Sequence, residues 1–379
     1  MNMLRAIGLM SGTSLDGVDA ALIETDGTRI GGFGPALTLP YDAVLRSDLR
    51  RLLDLAPGLS PADPFLADVT ARLTRRHVEA VAALGQPADV IGMHGQTIFH
   101  APAQRRTWQV GDAELLARET GITVVHDFRS ADVLAGGEGA PLVPSFHAAL
   151  ARELPRPLAV LNIGGVSNVT FIGPDISGPG FSSPGGALLA FDTGPGNGPL
   201  DDWAARHSND SVDRDGALSA SGRVDAAVLA RLMAQSYFAR QPPKSLDRLE
   251  FACALAGSGL DALSPADGAA TLVAFTAEAV AVAALPTRPL RWLITGGGRH
   301  NPSIMAALRQ RLGGPVDPVE AVGWDGDALE AQCFGFLAVR VLRGLPTSYP
   351  GTTGAVAPMV GGMVTRTRSP VQPATDAQG

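Results

Sequence analysis

Two stretches of this chain share one layout, and the distance between them constrains what the chain can fold into. In SGTSLDGVDAALIET, Ser11 to Thr25, the strand-like run Ala6 to Met10 leads into a small polar turn and Val18 to Ile23 leads out. LAVLNIGGVSNVTFIG, Leu158 to Gly173, repeats this with Asn162, Gly164, Gly165, Ser167 and Asn168 at its turn. Gly12 and Gly165 stand 153 positions apart, the length of a domain, so the reading is two similar domains that each present a β-hairpin. Gly12 and Gly17 admit close backbone approach, Ser11, Thr13 and Ser14 offer hydroxyls, and Asp16 and Asp19 can reach a hydrated cation through water. Either turn alone also suits an ordinary hairpin; the pair suggests a nucleotide held by both in a cleft.

A third glycine-rich element follows the strand-like Trp292 to Thr295, where Gly296, Gly297 and Gly298 precede a helix expected near Pro302. Bare backbone there would accept a phosphate or a flat ring, although the element taken alone reads first as an ordinary strand-to-helix turn. Neither GxGxxG nor GxxxxGK[ST] occurs at these turns.

Between these motifs strands and helices alternate, which gives an α/β class. Phe65, Leu66, Val69, Leu73, Val81 and Leu84 recur at helical spacing, after which Val90 to Met93 reads as a short strand delivering His94 to its end. Asp112 caps an expected helix Ala113 to Thr120, Gly121 stops it, and Ile122 to Val125 forms a strand. Gly136, Gly137 and Gly139 mark a crossover, so the expected domains are 1–134, rejoined by 352–366, and 135–351. The tract Gly173 to Gly186 is expected at the surface, and 367–379 as a disordered tail.

With 379 residues and 45% hydrophobic content the chain can bury two cores. Its 30 basic and 37 acidic residues give a net charge of −7 without a basic stripe, so no nucleic-acid partner is expected. Cys253 and Cys333 read as two buried small hydrophobes in a reducing compartment. The apolar stretch Ala269 to Leu285 contains Thr271, Thr276 and Glu278 and suits a buried helix, so a cytoplasmic protein without membrane contact is expected.

SGTSLDGVD, HGQTI at His94 to Ile98, NIGGVSN at Asn162 to Asn168, FDTGPGN at Phe191 to Asn197, PPKS at Pro242 to Ser245 and TGGGRHN at Thr295 to Asn301 resemble the anhydro-N-acetylmuramic acid kinase family, in that family's order and over nearly the whole chain. The resemblance implies a two-lobed actin-like ATPase (ribonuclease H-like) fold with a central nucleotide cleft. It implies that ATP and water open the 1,6-anhydro ring of anhydro-N-acetylmuramic acid and phosphorylate its primary hydroxyl, giving N-acetylmuramic acid 6-phosphate and ADP, a step of peptidoglycan recycling. ATP contacts are then expected at Gly12, Thr13, Ser14, Leu15, Asp16, Gly17, Val18 and Asp19, at Asn162, Gly164, Gly165, Asn168 and Gly194, and at Gly296, Gly297, Gly298 and Asn301. Mg2+ is expected on the ATP phosphates, with Asp16 and Asp19 reaching it through water. Homodimerisation is left open.

Asp192 follows the apolar run Leu188 to Phe191 and precedes Thr193-Gly194-Pro195-Gly196, which places a carboxylate at a strand end beside little side-chain bulk. On the residues alone it is either a base or a turn-forming aspartate; the resemblance makes it the base that deprotonates water. The resemblance places His94, Gln96, Thr97, Arg129 and Glu330 by the sugar. Arg129 could grip the lactyl carboxylate or pair with Asp127 or Asp132, and His94 could be a satisfied buried histidine. Glu330 stands three residues after Asp327, a capping-box spacing that would start a helix Ala328 to Leu342. Lys244, the chain's single lysine, is tied to the nucleotide by the family motif alone.

The chain departs from the family's usual wording at GPLDDWA after FDTGPGN and at Leu246-Asp247 after PPKS. Levoglucosan kinases share the hairpin and FDTGPG features, which leaves that smaller anhydro sugar as the alternative substrate. A non-enzymatic nucleotide-gated protein of the actin or Hsp70 kind is the alternative from a different class.

Overall fold

A computed structural model describes residues 2–12, 14–174, 188–246 and 251–367. Thr13, most of the tract 173–186 and the tail from 368 lie outside the described residues. The strands are β1 (Leu4–Ser11), β2 (Gly17–Thr25), β3 (Ile30–Pro40), β4 (Val90–Ala101), β5 (Arg106–Val110), β6 (Thr123–His126), β7 (Leu158–Ile163), β8 (Val166–Ile172), β9 (Leu188–Pro195), β10 (Arg291–Thr295), β11 (Val316–Pro318) and β12 (Met363–Thr365).

The chain divides into two units. One comprises 1–134, 330–347 and 360 onward; the other comprises 135–329 and 348–359. The chain thus returns to the first unit twice, where the sequence suggested one return over 352–366, because the helix Leu329–Leu342 packs almost wholly on the first sheet. Gly8 of β1 lies opposite Gly92 of β4, and this bare pair admits the helix backbone. A methyl group on Gly8 would lie 1.7 Å from the Ala331 carbonyl oxygen, and one on Gly92 2.0 Å from that of Phe334.

Each unit builds its sheet in the same order. In the first, β6, β4 and β1 run parallel while β2 and β3 continue antiparallel, with β5 on β4 and β12 on β6. In the second, β11, β10 and β7 run parallel and β8 and β9 continue antiparallel. This duplicated sheet order is that of the actin-like, ribonuclease H-like class, and it places the hairpins β1–β2 and β7–β8 at equivalent points.

Each sheet is covered by its own core. Leu45, Leu49, Leu66, Val69, Leu73 and Leu116 pack over Ile7, Leu9 and Ile91, whereas Trp203, Leu272, Phe275, Ile304 and Leu308 pack over Leu161, Phe191 and Ile294. The helix Pro64–Leu84 starts where Asp63 accepts from the Phe65 and Leu66 amides and stops at left-handed Gly85. Asp112 caps Ala113–Thr120 and Gly121 ends it, as the spacing predicted. The stretch from Ala269 contributes to the buried helix Pro265–Ala281, and among the described residues no helix is long and apolar enough to cross a membrane.

Two local expectations need correction. β4 runs on to Ala101, so His94 sits inside a strand; Gly95, at φ +73°, kinks it where pairing to β1 becomes irregular and β5 takes over. Cys333 is buried, but Cys253 is exposed, on the short helix Ala252–Gly257.

Candidate active site

In the first unit the turn between β1 and β2 is fastened at both ends. Ser11, at the end of β1, is buried, with its hydroxyl 3.0 Å from His77 Nε2. His77 Nδ1 lies 2.8 Å from the Leu73 carbonyl and takes the hydrogen there, so Nε2 accepts from Ser11; burial holds the imidazole neutral, with a pKa of about 4. At the other end the Tyr41 amide donates to the Asp16 carbonyl. Asp16 Oδ1 accepts from Ser14 Oγ at 2.8 Å and from the Gly17 amide at 3.0 Å. Leu15 and Val18 point into the core, so only their backbone can meet a ligand. Asp19 Oδ1 accepts from Thr38 Oγ1 at 2.5 Å.

Close to this turn the chain assembles a cationic and an acidic group. Arg129 Nε donates to His94 Nε2 at 3.0 Å, and His94 Nδ1 donates to the Gly95 carbonyl at 2.7 Å. Both ring nitrogens are therefore used and His94 is neutral; burial first, then the Arg129 charge, keeps its pKa well below the usual range. Phe334 lies against the His94 ring at 4.5 Å and against Phe128 at 5.4 Å. Glu330, on the same helix as Phe334, reaches solvent, yet the surrounding protein and then the Asp19 charge raise its pKa, with Arg129 opposing. Gln96 is fully enclosed with Oε1 unpaired among the described residues, and the Thr97 hydroxyl accepts from Gln109 Nε2 at 3.1 Å.

The second unit aligns its candidate residues across the sheet. Thr295 pairs with Asn162, Asn162 with Asn168, and Asn168 with Asp192, a polar row over β10, β7, β8 and β9. A bulge beside Asn168 leaves Thr193 as the extra residue and lets the row reach Asp192. The glycines around the row divide by the space they leave. Gly165 faces open space and Gly297 leaves room, its nearest neighbour being Asn197 Nδ2 at 3.9 Å, whereas a methyl group on Gly196 would lie 2.0 Å from the Gly164 carbonyl oxygen and one on Gly298 2.4 Å from Ile163 Cγ2. The Asn197 and Gly196 amides also donate to the Gly164 and Gly165 carbonyls, at 2.8 and 3.0 Å. The segment after Asp192 is thereby stitched to the hairpin tip.

Asp192 is fixed at three atoms. Its amide donates to the Lys244 carbonyl at 3.0 Å, its carbonyl accepts from the Tyr237 hydroxyl at 2.6 Å, and its Oδ2 accepts from the Leu246 amide at 2.8 Å. No partner for Oδ1 occurs among the described residues. Burial raises the carboxyl pKa to about 7, against the Leu246 hydrogen bond and with a further push from Glu138. Such a group is partly ionised at neutral pH and partly open to solvent, which suits proton transfer with water.

With this geometry in hand, residues 4–367 match the family model described as anhydro-N-acetylmuramic acid kinase. The chain belongs to that family. It is 61% identical over 363 residues to the anhydro-N-acetylmuramic acid kinase of Acidiphilium cryptum (strain JF-5), covering 96% of this chain and 98% of the relative. Identity to the enzyme of Gluconobacter oxydans (strain 621H) is 58% over 367 residues, covering 95% and 99%. Among solved structures, ligand-bound xylulose kinase from Lactobacillus acidophilus aligns over 90% of this chain and 89% of its own, at 10% identity and a TM-score of 0.44.

Several family-motif side chains are committed to the protein itself. Asn301 caps the helix Pro302–Leu312 through Oδ1, and its Nδ2 donates to Asp213, so a nucleotide would meet it by backbone alone. Lys244 Nζ donates to the Tyr237 carbonyl and lies 4.4 Å from that ring, pinning the residue that holds Asp192. The capping box at Asp327 does not form. Asp325 accepts from the Asp327 and Ala328 amides, while Asp327 receives Arg299 at 2.7 Å, which leaves Glu330 free of any capping role. The sequence reading missed His77, Tyr237 and Glu138, whose neighbours in sequence carry no hint of their distant partners.

Proposed function

We propose that this chain is the ATP-dependent kinase that hydrolytically opens anhydro-N-acetylmuramic acid and delivers N-acetylmuramic acid 6-phosphate and ADP. The observation that carries the reading is Asp192: a carboxylate with a pKa of about 7, clamped by the PPKS segment, in register with Asn168 and Asn162 beside glycine turns open to a phosphate. Asp192 takes a proton from water as the water oxygen bonds to the anomeric carbon. The anomeric carbon–bridging oxygen bond breaks, and that oxygen bonds to the γ-phosphorus as ADP departs. The proton then leaves Asp192 for solvent.

The open backbone at Gly165 and the room left at Gly164 and Gly297 support roles in ATP binding. Arg129, braced by His94, is offered as the partner of the lactyl carboxylate, with Glu330 as a further sugar contact. Mg2+ neutralises charge on the phosphates when bound. Asp16, exposed at the turn, and Asp19 on β2 are offered as its water-mediated contacts, and no cluster of three His, Cys, Asp or Glu able to cage a metal occurs among the described residues.

The deciding assay follows ADP release with anhydro-N-acetylmuramic acid, with levoglucosan and without sugar, and identifies the 6-phosphate by mass. Sugar-dependent ADP release that favours the muramic substrate supports the proposal. Equal release in all three mixtures would overturn it.

A further inference from the structure

We propose that Glu138, acting through Ser245, is a positioning residue for Asp192. The inference rests on the reading of Asp192 as the base. Ser245 lies between the two residues that hold Asp192: the Lys244 carbonyl accepts its amide, and the Leu246 amide donates to its Oδ2. The Ser245 hydroxyl turns to Glu138 and donates to Oε2 at 2.7 Å. Glu138 is itself fixed, since its amide donates to the Thr353 carbonyl at 2.6 Å. An anchor on the middle residue of a three-residue clamp sets where the outer two amide groups point, so moving Glu138 moves the catalytic carboxylate.

Glu138 also acts by charge. A second carboxylate near Asp192 disfavours its ionised form and adds to the effect of burial. Among the described residues the other charged groups around this clamp are Lys244, whose Nζ is turned to the Tyr237 carbonyl, and Arg240, whose charge acts on Lys244 and whose guanidinium lies over the Tyr237 ring. The facing residue on β8, Asn168, carries no charge. The clamp and the charge are separable by substitution. Glu138→Gln keeps an acceptor for Ser245 and removes the charge, while Ser245→Ala keeps the charge and removes the anchor.

The test is the pH dependence of kcat/KM for anhydro-N-acetylmuramic acid between pH 5 and 9, in the wild type, Glu138→Gln, Ser245→Ala and Asp192→Asn. Without the like charge Asp192 loses its proton more readily, so the acid limb of Glu138→Gln should move to lower pH by on the order of half to one unit. Ser245→Ala should lower the plateau by about tenfold through misplacement, leave the limb where it is, and leave the KM for ATP unchanged. Glu138→Asp, which keeps the charge but draws it back from Ser245, should behave like Ser245→Ala and carries the test if Glu138→Gln does not fold. Unchanged plateaus in both Ser245→Ala and Glu138→Asp would overturn the positioning role, and an unmoved limb in folded Glu138→Gln would overturn the charge effect. Full turnover in Asp192→Asn would instead strike the reading of Asp192 as the base, so the two failures are told apart.

Discussion

Replacing Asp192 by Asn should stabilise the protein while abolishing most turnover, and the stability gain should depend on pH. The folded carboxyl has a pKa of about 7, against 3.8 for an unperturbed aspartate. Between these values the folded chain binds more protons at this site than the unfolded chain, so stability falls as pH rises from about 4 to 7 and stays lower above. At 1.36 kcal/mol per unit, discounted for the part of the side chain that meets solvent, the ionised group costs on the order of 2–4 kcal/mol at pH 8. Asparagine carries no such charge, and its amide oxygen can still accept from Leu246. Thermal melting at pH 4, 6 and 8 checks this: the variant should melt roughly 2–5 °C above wild type at pH 8, with the gap closing by pH 4. Turnover in the same samples should drop by about 10²- to 10⁴-fold. A gap that is absent at pH 8, or equally large at pH 4, would mean that Asp192 holds no raised pKa and that its assignment as a base tuned to neutral pH is wrong.

Three further outcomes follow from named contacts. Arg129→Ala should lower kcat/KM for anhydro-N-acetylmuramic acid at least about tenfold more than for levoglucosan, because a charged hydrogen bond is worth roughly 1.5–3 kcal/mol and only the first sugar has a carboxylate; equal losses in paired assays would leave Arg129 no part in reading it. Gly165→Ala has room and should fold with a raised KM for ATP, whereas Gly196→Ala meets the Gly164 carbonyl and should lose stability by about 2 kcal/mol or more, so identical melting curves would refute the division between open and closed glycines. Chelation by EDTA should abolish ADP release and added Mg2+ restore it; full activity in metal-free ATP would remove the roles of Asp16 and Asp19.

The hairpins were legible because their signal is local: an apolar run, small polar residues and a second apolar run specify a strand, a tight turn and a return, and the structure places β1–β2 and β7–β8 there. The helix at Ala113–Thr120 was legible for the same reason, with cap, apolar face and stop all within ten residues. Tertiary partners decided the rest. The same local logic failed at Asp327, where the capping spacing is present but Arg299, held also by Glu320 at 2.9 Å, takes the carboxylate. Nothing near Gly8 in sequence announces that its partner Gly92 makes room for a helix more than 200 residues on, yet that contact brings Phe334 against His94 and Glu330 into the field of Arg129.

The contrast between Asp16 and Asp192 shows why residue type and spacing name candidates more readily than roles. Both are aspartates in motifs rich in glycine, Asp16 at the β1–β2 turn and Asp192 within β9. Asp16 is exposed and engaged by its own turn, through Ser14 and Gly17, so its charge is solvated and available to a hydrated cation. Asp192 is half-buried, takes a hydrogen bond from Leu246 and is pushed by Glu138, each more than 50 residues away, and it keeps its proton up to about pH 7. A base must release and regain a proton near working pH, whereas a cation partner must stay charged. We propose that environment gives one side chain two chemistries, and the test of that assignment is whether removing the Glu138 charge retunes Asp192.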